Sequence, residues 1–233
     1  LGLFESTLNA INTRNINGSI SFVFINKDYG ENKNSDKFMD IVQHNKIPLI
    51  TFSSKKFKES NEKNWSELRS NFDHKIINLL DDYTVDIAVQ AGYMLIAPLL
   101  CKHFTTINIH PALPGETIGT WKKAIWDVIE KKSYETGAMV HISTQKVDEG
   151  PVISFGRYSL SDENFRKEWK IIERMSIKEI KDKYGEDLRL FNLIRQKGLI
   201  FERKLLSETL ARISNNQISL KNNNPVDLSA SIS

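Results

Sequence analysis

The chain has 233 residues and a mass of 26.8 kDa, 40% hydrophobic and 26% charged, which supports a sizeable core and excludes a disordered or fibrous chain. Lys and Arg total 32 against 29 Asp and Glu, a net charge of +3 mixed along the chain rather than gathered in a stripe, which argues against nucleic acid as a partner. A single cysteine, Cys101, excludes an intrachain disulfide and a multi-thiolate metal centre, and no apolar run approaches a membrane span. Leu1 is not followed by a basic segment and a small-residue cleavage site, so no secretory signal is read and a cytoplasmic protein is expected.

In chain order, Gly2-Leu3-Phe4 reads as a short strand, and residues 8–11 as a helical run that Ser6 or Thr7 would cap. Residues 19–25 form a continuous β-branched and aromatic run, suited to an interior parallel strand. A helix opening at Ser35 or Asp36 carries Phe38, Ile41 and Val42 on one face and closes at Asn45. Residues 48–52 make the next strand, and the polar stretch 57–64 reads as a surface loop. Leu68, Phe72, Ile76 and Leu79 or Leu80 recur at helical spacing from Trp65 to Leu80. A strand at 87–91 follows, and Gly92 permits a tight turn at its end.

Residues 106–109 form a strand ending at His110-Pro111. A helix from Trp121 to Glu130 follows, with Thr120 as a candidate cap. Strands at 138–142 and 152–155 flank the turn Val147-Asp148-Glu149-Gly150-Pro151. Segments 165–179 and 187–213 are helical, and 215–233 is a polar tail with one short strand at 218–220. Alternating strands and helices predict an α/β fold: an open, mostly parallel, twisted sheet with flanking helices and a helical C-terminal part. Residues 1–233 are read as a single domain.

Ligands in such sheets sit beyond the carboxyl ends of the strands, which singles out segments 92–96, 108–119 and 148–151. Residues two apart on an extended segment point the same way, so the Asn108 amide and the His110 imidazole face one cleft. A carboxylate nearby, such as Asp148, would orient the imidazole and raise its pKa. Amide, imidazolium and carboxylate together suit stabilising an oxyanion and moving protons. Plainer readings stand beside these: His110 as a hydrogen-bonded structural histidine, Asp148-Glu149-Gly150-Pro151 as an Asx-type turn, and His141 as a packed core histidine. No Cys/His spacing points to zinc, and no metal is expected. The chain has neither G-x-G-x-x-G nor a Walker A pattern, which argues against a nicotinamide dehydrogenase or a P-loop enzyme.

The run Asn108-Ile109-His110-Pro111-Ala112-Leu113-Pro114, then Thr136-Gly137-Ala138-Met139-Val140-His141, then Val147-Asp148-Glu149-Gly150-Pro151-Val152-Ile153 resembles the formyltransferase family. That family includes phosphoribosylglycinamide formyltransferase, formyltetrahydrofolate deformylase and the catalytic domain of methionyl-tRNA formyltransferase, and the resemblance is greatest to the first. It covers most of the chain. Ala91-Gly92-Tyr93-Met94 is similar to the family's folate-pocket strand end, and Pro225-Val226-Asp227-Leu228 to its C-terminal tail.

The resemblance implies a Rossmann-related fold and transfer of a formyl group from 10-formyltetrahydrofolate to the primary amine of a small phosphorylated substrate, first of all 5'-phosphoribosylglycinamide in purine biosynthesis. A deformylase, a nucleotide-sugar amine formyltransferase and a non-catalytic folate-binding protein are the alternatives. It gives Asn108 and a protonated His110 the oxyanion, and Asp148 the task of holding His110 charged and relaying a proton. Gly92, Tyr93, Met94, Leu95, Ile96 and Val147 would wall the folate pocket. Arg69 matches a family arginine that holds the substrate phosphate. A folate cosubstrate and a small amine are the implied partners, without nucleic acid or membrane, and a homodimer is compatible.

The chain also departs from the family pattern. Phe4-Glu5-Ser6-Thr7-Leu8 is too short for the family's phosphate-binding loop at a helix start, so either the phosphate site is lost or, as the preferred reading, residues are missing there, with Ser6 and Thr7 as the nearest remnants of the substrate site. The family glutamate that contacts the amine substrate is replaced near Gly198, and the segment from Gly115 to Trp121 is unusual. These features suggest a divergent member.

Overall fold

The computed structural model describes residues 1–61, 64–93, 98–146, 148–221 and 224–232. The chain forms two compact units, one of Leu1 with Gly18–Thr106 and one of Gly2–Asn17 with Ile107–Ser233. Helix α1 (Gly2–Asn12) opens the second unit. Phe4, Leu8 and Ile11 already carry a helical spacing from residue 4, so the strand expected at Gly2-Leu3-Phe4 is instead the first turn of this helix.

In the first unit, β1 (Val23–Ile25) pairs in parallel with β2 (Leu49–Thr51), and α2 (Lys33–His44) connects them. The Asn32 side chain accepts the Asn34 and Ser35 N–H groups at the start of α2, and Asn45 ends it. The apolar run from residue 19 yields only three strand residues because its partner is only three residues long. Residues 57–59, expected in a loop, belong to α3 (Ser54–Glu59), which the Ser53 hydroxyl caps by accepting the Lys56 N–H. Helix α4 (Trp65–Leu80) buries Phe72, Ile76 and Leu80 against Phe104, with Phe22, Phe24 and Phe52 packed around them. Strand β3 (Ala88–Gln90) runs to Gly92, whose φ of +75° is one an L side chain adopts only under strain. Helix α5 (Leu100–His103) completes the unit.

The second unit carries β4 (Thr106–His110), α6 (Trp121–Glu130), β5 (Glu135–Ile142), β6 (Val152–Ser159), α7 (Glu163–Ile172), α8 (Ile177–Tyr184), α9 (Arg189–Ser214), β7 (Val226–Asp227) and α10 (Ser229–Ile232). The α/β class, flanking helices and helical C-terminal part are as expected. The sheet itself is mixed: β4–β5 and β5–β6 pair antiparallel, β6–β7 parallel. The segment 143–151 between β5 and β6 is too short for a parallel crossover, which takes a dozen or more residues.

Ile125 and Ile129 of α6, Ile172 of α7, and Leu190, Phe191 and Ile194 of α9 build the core on this sheet. The strand expected at 218–220 does not form. The Gln217 and Ile218 N–H groups instead donate to the Arg212 carbonyl and finish α9, and the added strand is β7. Among the described residues no helix is long and apolar enough to cross a membrane.

The β5–β6 pair is unusually close at its far end, where a Cβ on Gly137 would overlap the Gly156 carbonyl oxygen. Gly137→Ala is expected to cost roughly 1–3 kcal/mol, read as a lower urea midpoint at an unchanged slope.

Candidate active site

Strand β4 turns Asn108 and His110 to one face and Ile107 and Ile109 to the other. The antiparallel register sets His141 of β5 opposite Asn108. The segment after β5 then folds back: the Ile142 N–H donates to the Pro151 carbonyl at 2.9 Å, and Gly150 lies so near the Ile142 carbonyl oxygen that a Cβ there would overlap it. Within this return Asp148 adopts φ +54°, a left-handed conformation that Asp tolerates better than most residues.

The Asp148 carboxylate thereby meets four groups. Its Oδ2 accepts the Gly119 N–H at 3.1 Å and lies 3.4 Å from His110 Nδ1. Its Oδ1 lies 3.5 Å from both Asn108 Nδ2 and His141 Nε2. The His110 side chain is 3% exposed and that of Asp148 7%.

Burial pushes the Asp148 carboxyl up, but His141, His110 and the Gly119 N–H outweigh it, and the carboxyl ends below its ordinary range. For His110 the balance reverses. Burial lowers the imidazole more than Asp148 and the Thr117 carbonyl raise it, so it gives up its proton more readily than a solvated histidine.

His110 Nε2 lies 2.7 Å from the Thr117 carbonyl oxygen. A carbonyl only accepts, so Nε2 carries a hydrogen, and the proton that charges the ring resides at Nδ1, facing Asp148. Thr117 is held in turn by its hydroxyl, which donates to Asp127 at 2.7 Å, and Thr120 caps α6 as expected. An amide donor, an imidazole with a movable proton and a carboxylate are thus assembled in one nearly dry cluster, fit for steadying a developing oxyanion and relaying protons.

Asn108, His110 and Asp148 therefore lie together in the structure. His141, read as a packed core histidine, is a fourth member. Its position at the end of a strand, just before the turn that carries Asp148, was the available signal.

Gly92, Tyr93 and Arg69 belong to the first unit. Tyr93 Oη and Arg69 Nε and Nη2 are buried without a hydrogen-bond partner among the described residues, and burial followed by the Asp73 carboxylate pushes the Tyr93 phenol up, with Arg69 opposing. Asp73 Oδ2 accepts the Leu99 N–H at 3.0 Å. Buried donors left bare are costly, and an oxygen-bearing ligand would satisfy these. Met94, Leu95, Ile96 and Val147 lie outside the described residues.

Ser6 and Thr7 sit inside α1, and the Ser6 hydroxyl donates to the Leu3 carbonyl and accepts from Ser207 of α9. Neither caps a helix start, since α1 runs unbroken from Gly2 through both. Gly198 is buried in α9, where a Cβ would come within 3.0 Å of Tyr158 Oη. It borders a small cavity with Pro111, Trp121 and the Arg195–Glu202 ion pair (3.1 Å). Among the described residues no group of three or more His, Cys, Asp and Glu side chains is arranged to hold a metal ion.

Residues 2–164 match the family model for formyl transferases, and the chain belongs to that family. It is 30% identical over 162 residues to the phosphoribosylglycinamide formyltransferase of Dictyostelium discoideum, covering 64% of this chain and 74% of that protein. The fold is similar to that of glycinamide ribonucleotide transformylase 1 from Symbiobacterium toebii, with a TM-score of 0.67 and 17% identity over 95% of this chain and 86% of the other. It is also similar to a formyltetrahydrofolate deformylase from Pseudomonas syringae, with a TM-score of 0.65 and 20% identity over 95% of this chain and 60% of that one.

Because the folded-state pKa of His110 lies below its ordinary value of 6.5, the unfolded chain binds more protons as pH falls through 6.5. Stability from this residue is full above that pH and is lost below it, by at most about 1.4 kcal/mol per pH unit. Urea unfolding between pH 8 and 5 should show the decline, and His110→Gln should flatten it.

Proposed function

We propose that this formyl transferase moves the formyl group of 10-formyltetrahydrofolate to the primary amine of a small phosphorylated substrate, with 5'-phosphoribosylglycinamide as the first candidate and purine biosynthesis in the cytoplasm as the setting. The observation that carries the reading is the convergence of Asn108, His110 and Asp148 in one buried cluster. As the amine attacks the formyl carbon, the Asn108 amide and the His110 imidazolium donate hydrogen bonds to the carbonyl oxygen that gains charge. Asp148 keeps the His110 proton at Nδ1 and, through water, relays the proton lost by the amine toward the departing N10. The depressed imidazole pKa makes the imidazolium a stronger acid but a less populated one at neutral pH.

Donor binding is assigned to Gly92 and Tyr93 with Met94, Leu95, Ile96 and Val147. Arg69, with two guanidinium nitrogens that lack a partner among the described residues, is assigned to an anionic group of the substrate, which its planar fork suits. The name of the Dictyostelium relative supports the glycinamide acceptor. A second reading, hydrolysis of the formyl donor with water in place of the amine, draws on the fold shared with a deformylase, and the same residues would serve it.

The deciding measurement is steady-state turnover of 10-formyltetrahydrofolate with and without glycinamide ribonucleotide, for the wild type and His110→Ala. Tetrahydrofolate formation that requires the amine and falls at least about 100-fold in the variant is expected. Turnover without the amine makes the enzyme a deformylase. Folate binding without turnover sends the search to other phosphorylated or nucleotide-sugar amines.

A further inference from the structure

His141 is the member of the polar cluster that the formyl-transfer scheme does not use. Its ring is 2% exposed. Its Nδ1 lies 3.0 Å from the Ile142 carbonyl oxygen, an atom that only accepts, so Nδ1 carries a hydrogen. In the neutral ring Nε2 is then a bare lone pair. That atom stands 3.4 Å from Asn108 Nδ2 and 3.5 Å from Asp148 Oδ1.

A bare Nε2 gives the Asn108 amide an acceptor for one of its two hydrogens. The second is held only loosely, 3.5 Å from Asp148 Oδ1, and is free to turn to a substrate oxygen. A protonated Nε2 would instead set a donor against the donor end of Asn108 and favour the flipped amide. The titratable groups facing His141 are Asp148 from the β5–β6 connection and, beyond that carboxylate, His110 from β4. Asp148 Oδ1, at 3.5 Å, is the group that would draw a hydrogen to Nε2, so the state of His141 is set between this carboxylate and the Asn108 amide at 3.4 Å.

We propose that His141 is a positioning residue whose neutral Nδ1–H tautomer, locked by the Ile142 carbonyl, accepts a hydrogen from the Asn108 amide and so fixes which end of that amide faces the reaction. The role rests on the formyl-transfer reading, but the tautomer does not. Free histidine favours the other tautomer, so the state is diagnostic.

The test is a long-range nitrogen–proton correlation spectrum of the intact protein labelled with ¹⁵N-histidine, the His141 signals being identified by their loss in His141→Gln. An Nδ1–H ring at neutral pH is expected. An Nε2–H ring or an imidazolium overturns the proposal whether or not the protein turns over folate. In the turnover assay, His141→Gln supplies an amide oxygen near the position of Nε2 and should keep kcat within about threefold. His141→Leu, close in size but without an acceptor, should lose about tenfold in kcat, the scale of one neutral hydrogen bond, at unchanged KM for the folate. Equal losses in the two variants, or no loss in either, reduce His141 to core packing.

Discussion

The Ile142 carbonyl is the atom on which the site turns. It receives the His141 ring, and Gly150 passes so close to it that no side chain is tolerated there. That approach, together with the Ile142 N–H bond to Pro151, folds the β5–β6 connection back over the strand end. Asp148 rides on this return in a left-handed conformation, at a cost of about 1–3 kcal/mol. The carboxylate would not otherwise face both β4 and β5. Backbone geometry at a strand end, rather than side-chain packing, thus brings together residues far apart in sequence.

The electrostatics follow from that placement. One carboxylate serves two imidazoles, an amide and a backbone N–H in a region with little water. Burial works against charge on every member, and the carboxylate keeps its charge because the two histidines and the Gly119 N–H together offset that burial. His110 receives the opposite balance and holds its proton weakly. Both members therefore favour their deprotonated forms, and a proton arriving between them across 3.4 Å is held firmly by neither.

Much of this was legible in the sequence. Trp65–Leu80 and Trp121–Glu130 are helices with the limits their periodicity suggests, because apolar spacing runs the length of both and Thr120 caps the second. Asn108 and His110 were readable as a pair because a strand enforces period two. His141 was not, because its part in the site depends on a register with β4 that the order of residues does not reveal. The antiparallel run of β6 was hidden in a connection length, and α3 in a cap lying before the polar stretch. The strand expected at Gly2-Leu3-Phe4 and the cap at Ser6 or Thr7 give way because the spacing of Phe4, Leu8 and Ile11 commits the segment to a helix that packs on α9.

The Thr117 carbonyl has a consequence for selectivity. At 2.7 Å it already occupies the Nε2–H of His110, anchored by the Thr117 hydroxyl on Asp127. Any ligand oxygen that takes that hydrogen must compete with a peptide oxygen already in place. A neutral formyl oxygen is no stronger an acceptor than the one it displaces, while an oxygen acquiring negative charge is. In the proposed reaction, exchange of partners would then be favourable only as bond formation advances, so the peptide group would screen out ground-state binding and leave the imidazole's strength for the transition state.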